Sequence, residues 1–150
     1  MIKILFICHG NICRSTMAEY VMKHLVKEAG VSADFCIDSA ATSTEEIGNG
    51  VHYGTRRKLA QEGIFCGDHR ARQETWKDYE TFDYIICMDY ANIRNLRRML
   101  KDDPKGKLSM MLDYTNRSGE VADPWYTGDF EATYRDVLEG CQGLLYKLIG

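Results

Sequence analysis

The chain has 150 residues, a net charge of −3 and an isoelectric point near 5.8. That is enough for one domain with a single core, and too acidic for a general nucleic-acid binder, which needs a clustered basic surface. The apolar residues 1–7 are too few to span a bilayer and lack the length and cleavage site of a signal peptide, so the expectation is a cytoplasmic chain with no membrane insertion.

Residues 2–7 form a nearly continuous apolar run, the pattern of a strand covered on both faces in a parallel sheet. A tight loop, Cys8-His9-Gly10-Asn11-Ile12-Cys13-Arg14-Ser15, follows. A helical run then begins near Thr16, where Thr16 and Glu19 spell a T-x-x-E capping box. From Ala18, the residues Val21, Met22, Leu25 and Ala29 keep an amphipathic stripe that Gly30 can end. Residues 35–39 complete a strand–helix–strand unit, 40–54 read as a long surface loop with three glycines, and 55–62 as a short helix stopped by Gly63. Residues 84–88 repeat the buried-strand pattern, and Tyr90, Ile93, Leu96 and Leu100 have helical spacing. Pro104 and Gly106 break the chain before a fourth strand at 108–112. A last helix, N-capped by Asp129, carries the stripe Phe130, Tyr134, Val137, Leu138, Cys141, Leu145 and Leu148. Strands alternating with helices predict an α/β fold: a single-domain, doubly wound, four-stranded parallel sheet with helices on both faces. Ligands in such sheets bind at the carboxyl ends of the strands, at the topological switch point, and Cys8 ends the first strand.

The loop after that strand has the makings of a phosphate cradle. Successive backbone N–H groups of residues 9–15 point inward there, and the helix N-terminus adds positive potential. The same field favours the thiolate of Cys8 over the thiol, and the Ser15 hydroxyl can donate to it. Arg14, five residues after Cys8, presents a planar fork that holds two phosphoryl oxygens at once. Gly10 permits positive φ or a close approach to phosphate, and Asn11 tolerates left-handed backbone and can brace the loop. The loop also offers His9, Ile12 and Cys13. Cys8, His9 and Cys13 match no common zinc spacing, the six cysteines read as reduced thiols, and no metal or cofactor is expected. The second requirement is a proton donor. Asp123, biased by Pro124 toward extended backbone, can hold a carboxyl over the cradle, where phosphate charge favours its neutral form.

A Cys-x5-Arg-Ser loop identifies a chemistry, and position narrows it. Here the loop is N-terminal and the Asp-Pro pair lies far downstream, whereas the larger tyrosine phosphatases carry their acid upstream. This order, with Asp38-Ser39-Ala40-Ala41-Thr42-Ser43, Phe82-Asp83-Tyr84-Ile85-Ile86-Cys87-Met88-Asp89 and Asp123-Pro124-Trp125-Tyr126, resembles the low-molecular-weight protein tyrosine phosphatases along essentially the whole chain. The resemblance implies Cys8 as nucleophile, Arg14 as clamp and Asp123 as general acid and base. It implies a loop braced by Asn11 with help from Ser39 and His69, and Trp125 and Tyr126 as an aromatic wall. Substrates would be phosphotyrosine-containing proteins, with a tyrosine kinase of polysaccharide synthesis as a further partner it suggests.

Two departures stand out. Thr16 replaces the family's usual proline, and Glu45 and Glu46 stand where an aromatic is common, which would disfavour acidic peptide flanks. A sister branch acting on phosphoarginine carries threonine at the position of Ile12. An arsenate-reducing branch needs a resolving cysteine where this chain has Arg94, and Cys87 lies in a buried-strand pattern. A noncatalytic phosphotyrosine-binding or thiol-redox module is the different-class alternative. Cys8 and Cys13 together suggest a reversible disulfide that protects or regulates the enzyme.

Overall fold

The computed structural model describes residues 1–150. Four parallel strands, β1 (Ile2–Cys8), β2 (Phe35–Ala41), β3 (Tyr84–Cys87) and β4 (Leu108–Met110), are ordered β2-β1-β3-β4. Six α-helices accompany them: α1 (Arg14–Glu28), α2 (Tyr53–Gln61), α3 (Trp76–Thr81), α4 (Tyr90–Leu100), α5 (Pro124–Thr127) and α6 (Phe130–Ile149). β1 is central, and Ile4, Leu5, Phe6 and Ile7 are wholly inaccessible to solvent. The two-residue period of the strand divides them: Ile4, Phe6 and Cys8 pack with Met17 and Val21 of α1 and Val137 and Leu144 of α6. Leu5 and Ile7 face Tyr79 of α3 and Leu96 and Leu100 of α4. Parity along β1 thus sends the Cys8 thiol toward α1. Because β2 and β3 flank β1 on opposite sides, the carboxyl ends of β1 and β3 open a crevice at the switch point.

Several boundaries differ from the sequence reading, each for a local reason. Helix α1 starts at Arg14 and the Thr16–Glu19 box is not formed. The N-cap is Cys13 with no side-chain cap, and the Thr16 hydroxyl donates to the Cys13 carbonyl at 3.0 Å. Glu19 turns inward and accepts from Ser39 and Lys23. An uncapped helix N-terminus leaves its amides free for an anion. Strand β2 runs on to Ala41, paired with Cys8, and the loop after it stays tied to the cradle: the Thr42 and Ser43 N–H groups donate to the carbonyls of Cys8 and His9, both at 3.1 Å. β4 ends at Met110, where residues Met111–Tyr114 wind into a 3-10 turn. On α6, Leu144 rather than Leu145 is fully buried, and a Cβ at Gly140 would stand 2.8 Å from the Met111 carbonyl oxygen. At Gly143 it would overlap the carbonyl of Tyr114, so these two glycines let α6 lie flat on the turn.

One buried group works against stability. Glu74 is 3 % exposed, its amide is tied to the Ala41 carbonyl at 2.8 Å, and neither carboxylate oxygen has a hydrogen-bond partner. Burial, reinforced by Asp78 and opposed by Arg72, pushes its pKa up to about 7 from 4.5. The folded state therefore holds a proton that the unfolded chain releases, and stability falls as pH rises from about 4.5 through 7. A rise of this size corresponds to roughly 3 kcal/mol. In urea unfolding, Glu74→Gln is expected to equal wild type near pH 5 and to be the more stable of the two at pH 8. Equal stabilities at both pH values would contradict this assignment.

Candidate active site

Residues 8–15 close into a cup at the carboxyl end of β1. The Cys8 Sγ lies 3.0 Å from Ser15 Oγ and accepts the Asn11 backbone N–H at 3.3 Å. Asn11 is the loop's left-handed residue, with φ 61°, whereas Gly10 does not use positive φ. Gly10 serves close packing instead, since a Cβ there would press to 3.3 Å from Glu46 Cγ. The Asn11 amide is fully engaged: Oδ1 accepts from His69 Nε2 at 2.8 Å and from the Arg72 N–H at 3.2 Å, and Nδ2 donates to Ser15 Oγ at 2.7 Å and Ser39 Oγ at 2.9 Å. The backbone donor on Oδ1 fixes the amide's orientation. Ser15 Oγ must then accept from Asn11, which leaves its hydroxyl hydrogen for the Cys8 sulfur. Ser39 likewise accepts from Asn11 and donates to Glu19 at 2.6 Å. His69, mostly buried, turns Nδ1 toward Glu19 and Asp38. These three could crowd a cation, but Lys23, Ser39 and Arg72 already occupy the carboxylates.

Arg14 is almost wholly buried. Its guanidinium donates to the Val121 carbonyl at 3.2 Å, to Asp89 Oδ2 at 2.8 Å and to Asp123 Oδ2 at 3.4 Å. Burial alone would lower its pKa, but the facing Cys8, Asp123 and Asp89 raise it overall, so its charge is permanent. Asp89 is a site residue that the sequence reading passed over. One of its oxygens caps α4 through the Asn92 N–H at 2.8 Å, and the other holds Arg14. Its sequence signal was a D-x-x-N cap at the end of a buried strand, where this sheet places ligands. Val121 and Thr55 were also unforeseen; Thr55 Oγ1 donates to the Cys13 carbonyl at 3.2 Å. Cys13 is buried, and burial, then Cys8 and Asp123, push its thiol up to about 12. Raised in this way, the Cys13 thiol is a poor rival to Cys8 for attack on phosphorus.

Above the cup a cavity of about 460 Å³ is lined by Ile12, Glu45, Glu46, Trp125 and Tyr126 among others. Trp125 is 61 % and Tyr126 85 % exposed, so neither packs into the core. Asp123 N-caps α5 by accepting the Trp125 N–H at 3.0 Å through Oδ1, which leaves Oδ2 over the cup beside Arg14. His9 points its ring to the rim, where Nε2 meets Glu45 at 3.1 Å. Glu46 accepts from Asn49 at 2.6 Å. The structure thus brings together every residue singled out in the sequence for this site. Cys87 is fully buried, and Arg94 lies on α4.

A thiol, a clamped arginine and a carboxyl group that converge on an N–H-lined cup are the parts of a thiol-dependent phosphate-ester hydrolase. A family model described as "Low molecular weight phosphotyrosine protein phosphatase" matches residues 3–149. The low molecular weight protein-tyrosine-phosphatase YfkJ of Bacillus subtilis is 42% identical over 150 residues, covering 99% of this chain and 96% of its own, and its crystal structure superposes with a TM-score of 0.95. The low molecular weight protein tyrosine phosphatase SP-PTP of Streptococcus pyogenes gives 0.90 at 44% identity, covering 100% of this chain and 95% of its own. A Drosophila arginine phosphatase gives 0.91 at 31%, covering 99% of each chain. The chain belongs to the low-molecular-weight phosphotyrosine protein phosphatases, a family of hydrolases that work through a cysteinyl-phosphate.

Proposed function

We propose that this protein hydrolyses phosphotyrosine in proteins by two displacements at Cys8. The observation that carries the reading is the hydrogen-bond chain His69–Asn11–Ser15–Cys8, which aims a hydroxyl proton and an amide N–H at one sulfur above a buried arginine. In the first step the Cys8 thiolate attacks phosphorus, an S–P bond forms, and the bond to the tyrosine oxygen breaks as Asp123 gives that oxygen its proton. Arg14 and the loop amides hold the equatorial oxygens, where charge gathers in the transition state. In the second step water attacks phosphorus, Asp123 takes its proton, and the S–P bond breaks to return thiolate and phosphate. Asp89 is a positioning residue: its charge keeps the guanidinium aimed when Asp123 moves toward a substrate.

Ile12 beside Trp125 and Tyr126 forms an apolar slot suited to a flat ring. Phosphate release from phosphotyrosine, phosphoarginine and phosphoserine peptides, compared side by side in chelator and reductant, tests the reading. Turnover selective for phosphotyrosine is expected. Preference for phosphoarginine would move the chain to the activity named for its Drosophila neighbour, and recovery only on adding metal would overturn the mechanism.

Cys8 and Cys13 line the same cavity, which supports a reversible disulfide. Peroxide would oxidise the Cys8 thiolate to the sulfenic acid, and attack by Cys13 would form the S–S bond with loss of water. Without Cys13 to trap it, the sulfenic acid is carried by excess peroxide to the sulfinic acid, which dithiothreitol does not reduce, so activity lost to peroxide should return in wild type and not in Cys13→Ser. Equal recovery in both would remove Cys13 from this role. All six thiols fit a reducing cytoplasm, where such a bond forms only on oxidation.

A further inference from the structure

Beside the catalytic cavity lies a second groove of about 380 Å³, between α2, which lines it from Tyr53 to Gln61, and the start of α6. The two are separated by a row of rings. Trp125, which walls the first cavity, meets His52 edge-on at 5.9 Å, and His52 stacks on Phe130 at 5.5 Å. The row is fixed in place. His52 Nδ1 accepts the Gly54 N–H at 3.0 Å, and a Cβ at Gly54 would overlap the Phe130 ring, so only glycine lets Phe130 reach the histidine.

The charges on the groove are unequal. Lys58 is bound to Glu62 at 3.0 Å and to Glu131, which Arg135 also faces at 4.0 Å, so these two cations and two glutamates balance one another. Arg57 is exposed, lines the groove and makes no ion pair. Glu45 and Glu46 line the catalytic cavity but neither the groove nor the row of rings, and no lysine or arginine lines that cavity except the buried Arg14. A polypeptide seated with its phosphotyrosine in the cup must run along the surface on either side, over acid on one side and past an unpaired arginine on the other.

We propose that this groove is a subsite for the substrate polypeptide, in which Arg57 receives a carboxylate side chain flanking the phosphotyrosine on the side away from Glu45 and Glu46. The inference rests on the phosphatase reading. Repulsion at the acidic rim and attraction at Arg57 act together to set the direction in which the peptide lies. Both charges are solvent-exposed, so the preference is moderate and depends on salt.

The test compares kcat/KM for three phosphotyrosine peptides of equal length: neutral flanks, aspartates only before the phosphotyrosine, and aspartates only after it. In wild type one of the two acidic peptides is expected to exceed the other about 5–10-fold at low salt, with the gap shrinking in 0.5 M salt. Arg57→Glu should abolish or reverse that ratio, and Arg57→Gln should roughly halve it on a logarithmic scale. If the ratio is the same in wild type and both variants, the subsite is wrong. p-Nitrophenyl phosphate, too small to reach the groove, is run with wild type alongside: failure to turn it over would count against the phosphatase reading itself, whereas brisk turnover with no Arg57 dependence on peptides would count against the groove alone.

Discussion

Cys8→Ser is expected to lower turnover of a phosphotyrosine peptide by roughly 10⁴–10⁶-fold, the scale on which loss of a nucleophile removes covalent catalysis. The substitution keeps the cup. Ser15 and the Asn11 N–H still point to position 8, Arg14 stays buried and held by Asp89, and inorganic phosphate should bind within a few-fold of wild type by calorimetry. What is lost is the sulfur nucleophile, which a serine hydroxyl replaces poorly. Rapid mixing should show a burst of released phenol in wild type, as the cysteinyl-phosphate accumulates, and none in the variant. Turnover within tenfold of wild type would mean that the nucleophile is another group.

The second large effect is at Asp123. Asp123→Ala is expected to reduce kcat on phosphotyrosine by about 10²–10⁴-fold, the range for a positioned general acid. The size should depend on the leaving group. Tyrosine's phenolate is a strong base and needs its proton, whereas p-nitrophenolate leaves without help, so the first step on p-nitrophenyl phosphate should suffer far less. Asp123 also caps α5 through the Trp125 N–H, so the alanine variant loosens the aromatic wall. Asp123→Asn separates the two roles: it keeps an oxygen for the cap and lacks the acid. Equal losses on both substrates, rescued by asparagine, would make Asp123 a structural cap and not the proton donor.

Much of the site was legible because its parts are local. Cys8 through Ser15 lie on one loop, and a loop between a buried strand and a helix has one physical use for successive inward amides and an arginine. The central strand was legible from hydrophobicity alone, since only a strand covered on both faces needs Ile4 to Ile7 without a polar break. Boundaries were less so. The Thr16–Glu19 pattern has the chemistry of a capping box, yet the fold draws Glu19 into the interior to meet Ser39, and tertiary hydrogen bonds outweighed the local one. Helix α3 was unforeseen although Thr75 and Asp78 form a capping box at its start, because six residues carry too little periodicity to register.

The resemblance supplied the partners of Asn11, and distance in the chain explains why composition did not. Ser39 is 28 residues and His69 58 residues from Asn11, and nothing along the sequence brings them to one amide. The sequence by itself determined the nucleophile, its anion cradle and the alternation of the four strands with the four longer helices, since these follow from neighbouring residues and their spacing. Only the tertiary structure decided that Asp89 holds Arg14, that Glu74 is buried without a partner, and that Arg57 borders a groove beside the cup. Each of those depends on which strands become neighbours in the sheet, and that is set by packing across the whole core rather than by any one stretch of chain.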